Sequence, residues 1–135
     1  MNTRPACPTS LAMNEGDVSR YLQHRLRDVS DLRVTGLKRF PRGVSRETWF
    51  VDLARSRGGV RDTQSLVIRR DPPGASVCRS TLRFEYEVFR RLRGSDVPVA
   101  NVLWYEDDPE WLIDGRELYV REMVEGTWDV PHFTD

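Results

Sequence analysis

Lysine is almost missing from this chain: of its 21 basic residues only Lys38 is one. That bias fits a GC-rich coding sequence better than any selected phosphate chemistry. Cysteine is scarce as well. Cys7 and Cys78 are too few and too far apart for a disulfide framework or a zinc site, and neither sits in a Cys-x-x-Cys pair, so a reducing cytoplasm is the expected location. The two histidines, His24 and His132, lack any neighbour at metal-ligand spacing. No apolar stretch is long enough to span a bilayer, and residues 1–10 hold Arg4, Pro5 and Pro8 but no apolar run of signal-peptide length. Net charge is absent too, since 21 acidic residues cancel 21 basic ones. No field then draws the chain to nucleic acid or to an anionic membrane.

What is present fits one globular domain: 135 residues, 39% hydrophobic and 31% charged. Residues 1–14 lack periodicity and read as a flexible arm. Val18, Tyr21, Leu22, Leu26 and Val29 fall at helical spacing behind Asp17, which is placed to cap a helix over 17–29. Runs 32–40 and 48–53, separated by Pro41-Arg42-Gly43-Val44-Ser45, predict a hairpin with a long tip. Residues 55–63, with Gly58-Gly59, predict a flexible loop into a third strand at 65–70, which Asp71-Pro72-Pro73-Gly74 then stops. Leu82, Glu85, Phe89 and Leu92 predict a helix over 80–93, capped by Ser80 or Thr81 and closed by Gly94. Two more strands, within 97–106 and 116–124, flank the acidic turn Asp107-Asp108-Pro109-Glu110. The order of helix, three strands, helix and two strands is that of an α+β domain.

The stretch Leu66-Val67-Ile68-Arg69-Arg70-Asp71-Pro72-Pro73-Gly74 drives two adjacent cations out of an apolar run. A cation at the end of a buried strand needs an anion, and two are available: the Glu85 carboxylate on the next helix or the phosphates of a bound nucleotide. Strand alternation puts Val67 and Arg69 on one face and turns Arg70 to the other, where it is expected to be solvated. Glu85 follows Leu82 by three residues and precedes Phe89 by four, on the apolar face of its helix. It is either paired there or a boundary residue reaching water. Trp49, Tyr86, Phe89 and Trp104 are expected to pack the sheet and helix, and Asp107, Asp108 and Glu110 read as a solvated turn rather than a metal cluster.

Three segments in this order resemble the aminoglycoside phosphotransferase family: Gly43-Val44-Ser45-Arg46-Glu47-Thr48-Trp49, Leu66-Val67-Ile68-Arg69-Arg70 with Glu85 after it, and Leu118-Tyr119-Val120-Arg121-Glu122-Met123-Val124-Glu125-Gly126. The resemblance runs from about residue 17 to 126 and covers only the N-terminal lobe of that family's two-lobed, protein-kinase-like fold. It implies a five-stranded antiparallel sheet with an N-terminal helix and a second helix between strands 3 and 4. The expected organisation is an arm at 1–14, a nucleotide-binding lobe at 15–126 and the start of an interlobe linker at 127–135.

The resemblance further implies a site for ATP with magnesium. Gly43, Val44 and Ser45 would close over the phosphates, Val67 would face the adenine, Arg69 would bind phosphate and Glu85 would hold Arg69. The backbone of Glu122, Met123 and Val124 would bond the adenine edge. Two residues depart from the pattern: Arg42 stands where a second glycine is usual, and Arg121 stands where an apolar residue usually lines the back of the pocket. An ordinary hairpin turn explains the 41–45 tip equally well. The family's His-Gly-Asp loop, its Asn and its later metal-binding Asp have no counterpart in the sequence, so no catalytic residue and no metal ligand is assigned. The chain by itself, a truncated product or a fragment, is expected to be inactive, with an exposed apolar surface that seeks a C-lobe on another chain or a second copy. A docking module derived from a kinase N-lobe is the alternative.

Overall fold

The computed structural model describes residues 13–41, 45–74 and 79–126. In chain order the elements are α1 (Glu15–Arg25), β1 (Ser30–Arg39), β2 (Glu47–Arg57), β3 (Val60–Arg70), α2 (Leu82–Leu92), β4 (Val102–Glu106) and β5 (Leu118–Glu122). The strands form one antiparallel five-stranded sheet in the order β1-β2-β3-β5-β4, the α+β arrangement of a kinase-like N-lobe. β5 therefore inserts between β3 and β4, which places the end of the last strand beside the third. Among the described residues no helix is long and apolar enough to cross a membrane.

The hairpin of β2 and β3 is longer than the sequence suggests. Its strands stay in register from Glu47↔Arg70 to Arg57↔Val60, leaving a turn of Gly58 and Gly59 alone. Their φ values of 57° and 81° are those of a tight turn whose twist matches the flanking strands, so no flexible loop is needed. Periodicity missed these residues because both faces are polar there.

One face of the sheet carries the main core. Val18, Tyr21 and Leu22 of α1 pack on Val51, Leu53, Leu66, Ile68, Leu118 and Val120, all at most 2% exposed. Each such side chain contributes about 1.5–3 kcal/mol when fully buried. The cap of α1 is Asn14, not Asp17: the Asn14 side chain accepts from the Asp17 amide at 2.9 Å, and the helix ends at Arg25, short of Val29. Met13, just before it, is buried in the same core. Trp104 Nε1 donates to the Tyr21 hydroxyl at 2.8 Å and Arg25 Nε to Glu106 at 3.0 Å, which ties α1 to β4. His24, isolated in sequence, stacks on Trp111 with centroids 3.6 Å apart.

The opposite face carries α2, through Leu82, Tyr86 and Phe89 against Val102, Tyr105 and Tyr119. Thr81 caps the helix by accepting from the Phe84 amide at 3.1 Å, and Gly94, at φ 79°, takes the left-handed position that follows the last turn. The expected packing roles of Trp49, Tyr86, Phe89 and Trp104 are all observed.

Arg70 corrects the sequence reading. Alternation does turn it away from Arg69, but onto the α1 core rather than into water, and it is fully buried. Its Nε donates to Glu47 at 2.6 Å, and its guanidinium lies 5.9 Å from the Trp49 ring centroid. Glu47, itself 3% exposed, also accepts from Trp49 Nε1 at 3.1 Å and from Arg116 at 3.3 Å.

Candidate functional site

The register of the sheet builds the site. On the α2 face, Thr48, Arg69 and Tyr119 form one cross-strand row, and Lys38, Phe50, Val67 and Arg121 form the next. Because β2 and β3 pair without a bulge, these rows are fixed relative to each other, and α2 lays Glu85 against the first.

Glu85 is the centre. Arg69 Nε donates to Glu85 Oε1 at 3.0 Å and Arg69 Nη2 to Oε2 at 3.2 Å, a two-pronged contact. Arg46 Nη1 donates to Glu85 Oε2 at 2.8 Å, and the Tyr119 hydroxyl donates to Oε1. Burial would push the Glu85 carboxyl up, but the Tyr119 bond and the two guanidiniums hold it below its ordinary value. Burial and the neighbouring carboxylate push the Tyr119 phenol up, so it remains a donor. Arg69 also donates to Thr48 Oγ1 at 2.6 Å. A guanidinium carries five N–H donors, so these contacts fix its plane without exhausting it.

Arg46 is a candidate-site residue to which the sequence reading gave no role. It is 4% exposed and spans three elements: Nη1 on Glu85, Nε on Asp71 at 3.0 Å and Nη2 on the Ser80 carbonyl. It thus ties the end of the 41–45 tip to the turn after β3 and to the start of α2. Its position between Ser45 and Glu47 in the quoted motif was the only signal, and a motif does not say which way a side chain points.

Gly43 and Val44 lie outside the described residues. Ser45 is half-buried at the near end of the tip. Val67 is 3% exposed and pairs with Phe50. At the end of β5 the Glu122 amide donates to the Asn101 carbonyl at 2.9 Å and the Met123 amide to the Ser65 carbonyl at 3.3 Å. Those two amides are thereby taken by the sheet and not left for a ligand, and Met123 and Val124 are exposed just beyond the end of β5. Met123 lines an open pocket of about 360 Å³ with Gly36, Leu37, Phe40, Phe50 and Asp52. The structure therefore brings together Val67, Arg69 and Glu85 on one face and sets the β5 end beside the same face. Among the described residues no group of three or more His, Cys, Asp or Glu could hold a metal, and Asp107, Asp108 and Glu110 are an exposed turn.

The sequence profile of the phosphotransferase enzyme family, APH, matches residues 36–131. The match begins inside β1 and takes in β2, β3, α2, β4 and β5, every element that contributes to the site. No curated protein matches the chain.

Proposed function

The chain belongs to the phosphotransferase enzyme family, and from that premise we propose that residues 15–126 are the ATP-binding lobe of a small-molecule phosphotransferase. The observation that carries the reading is the Arg69–Glu85 pair, set one row away from Phe50 and Val67 and beside the pocket that Met123 closes. In this reading Phe50 lies over the base with the buried Val67 behind it, the Val124 amide and the carbonyls of residues 122–124 bond its edge, and Arg69 binds phosphate with the N–H groups that Glu85 and Thr48 leave. Glu85 acts on Arg69 and not on substrate: it holds the guanidinium plane in one orientation, so that binding does not have to fix it. Arg46 positions Glu85. Gly43, Val44 and Ser45 would cover the phosphates.

Family members generally use ATP with magnesium to phosphorylate a hydroxyl. The family's His-Gly-Asp loop, its Asn and its metal-binding Asp have no counterpart in the sequence, and we infer that this lobe binds and orients the nucleotide and that the 135-residue chain alone is inactive. Calorimetry of the purified chain with ATP·Mg tests the binding. Saturable binding weakened at least about tenfold by Arg69→Ala is expected, the loss of one charge-assisted contact. Binding indifferent to that substitution would overturn the assignment.

A docking module derived from such a lobe is the second reading. Met123 and Val124, 39% and 67% exposed, are its support, since they offer apolar surface where the lobe's chain leaves the sheet. A C-lobe on another chain or a second copy would cover them. Co-purification of a partner lost on Val124→Asp, with no ATP binding, would favour this reading over the first.

A further inference from the structure

A second cleft, open and about 460 Å³ in volume, lies between α2 and β5. Its apolar wall is Phe84, Val88 and Phe89 of α2, of which Phe84 is 61% and Val88 39% exposed. Its polar wall is Arg69 with its partner Glu85, Ser80 and Arg121.

Arg121 differs from every other guanidinium near it. Arg69 and Arg46 are both committed to Glu85, and Arg46 to Asp71 as well. Arg121 makes no hydrogen bond or ion pair among the described residues, and its Nε is sealed from solvent without an acceptor. Only the Phe89 ring faces it, with the guanidinium carbon 5.7 Å from the centroid. Burial draws its pKa down, Tyr119 and Glu85 oppose that, and the neighbouring Arg69 charge adds to it. A guanidinium nevertheless keeps its charge in proteins. A half-buried guanidinium with no carboxylate partner, lining an open cleft beside an apolar shelf, can take a planar oxyanion on the N–H groups other than the sealed Nε.

We propose that this cleft binds a small organic carboxylate with an apolar body, its carboxylate on Arg121 and its aromatic or aliphatic part against Phe84, Val88 and Phe89. The fork of a guanidinium matches the two oxygens of a carboxylate, and the cleft's size suits a small molecule. With Glu85 held by Arg69 and Arg46, Arg121 is the lining charge left for a ligand, which favours an anion over a neutral molecule of the same shape. The cleft shares Arg69 and Glu85 with the site proposed for the phosphates, whereas the base would lie on the Phe50 and Met123 side, and binding of the acid does not require ATP to bind.

Titration of the full chain followed by amide chemical shifts tests it, with 4-phenylbutyrate as probe and 4-phenylbutyramide as its neutral twin. The acid is expected to saturate, to shift amides of residues 84–89 and 119–121, and to bind at least about tenfold more tightly than the amide. Arg121→Met should erase that difference and Arg121→Lys should keep part of it. Equal affinity for acid and amide, shifts confined elsewhere, or no saturation would overturn the proposal. If Arg121→Met does not fold, the comparison of acid and amide on the unaltered chain decides alone. Failure of the nucleotide reading would show instead as ATP binding indifferent to Arg69→Ala.

Discussion

Arg69 and Arg70 are neighbours in the chain and serve opposite faces of the sheet: Arg69 pairs with Glu85 of α2, and Arg70 pairs with Glu47 on the α1 side. One step along a strand separates a partly accessible cation at the candidate site from a sealed cation in the core. Their substitutions should therefore fail in different ways.

Arg70→Met is expected to destabilise the fold by about 3–5 kcal/mol, because it leaves the Glu47 carboxylate buried with much of its compensation gone. Replacing both partners, Arg70→Met with Glu47→Leu, should cost less than the single change. Urea unfolding measures both, and a harmless single substitution would contradict the burial described above.

Glu85→Gln is expected to leave the chain folded but to weaken ATP binding, with a smaller loss than Arg69→Ala. Gln can still accept from Arg69 but supplies no charge, and the net worth of a charged hydrogen bond is about 1.5–3 kcal/mol. Calorimetry in parallel with Arg69→Ala checks the order; the reverse order would make Glu85, not Arg69, the ligand group.

Acid should unfold the protein partly through Glu47 and Glu85. Burial alone would raise both carboxyls, yet hydrogen bonds and guanidinium charges hold both below the ordinary value of 4.5. The unfolded chain then binds more protons than the folded one in that range. The stabilisation is complete above about 4.5 and is lost as pH falls through the lower folded values. The urea midpoint should drop between pH 6 and pH 3, and Glu47→Gln should reduce that drop; an equally steep drop in the variant would remove Glu47 from the account.

Arg46→Lys should loosen the start of α2 although it preserves charge. A planar fork meets Glu85, Asp71 and the Ser80 carbonyl together, and an ammonium cannot. Amides of the first α2 turns should exchange about tenfold faster, the equivalent of one lost charged contact. Unchanged exchange would mean that Arg46 fills space and nothing more.

Gly59→Ala should cost about 1–2 kcal/mol with no steric clash, since φ is 81° and nothing lies within 4 Å of a Cβ built there. Gly58→Asn, at φ 57°, should be nearly neutral because Asn tolerates that region. Thermal unfolding of the two variants separates backbone strain from packing.

Much of the candidate site was readable because it rests on local patterns. Alternation placed Val67 with Arg69, and helical spacing put Glu85 on the buried face of α2. Arg46 and Arg121 were not readable in the same sense. Arg46 finds Asp71, Ser80 and Glu85 across 25 to 39 residues of chain, and Arg121's want of a partner is a fact about its surroundings. The β2–β3 extension and the Asn14 cap were missed for a simpler reason: polar residues on both faces give no period, and a cap is decided by side-chain geometry.

Periods of two and of three to four residues, with turn chemistry, are local physics and were enough to fix the α+β class, the order of elements and the face on which Val67, Arg69 and Glu85 meet, while the family was legible only as a resemblance of three motifs. The tertiary structure alone decided what lies opposite each face. It put α1 over Arg70 and so made a cation that looked solvated into a buried one, and it slid β5 between β3 and β4 so that Arg121 came to face Phe89. A side chain's direction is set by its own strand, but its environment is set by which distant elements pack there, and burial and pairing depend on that environment.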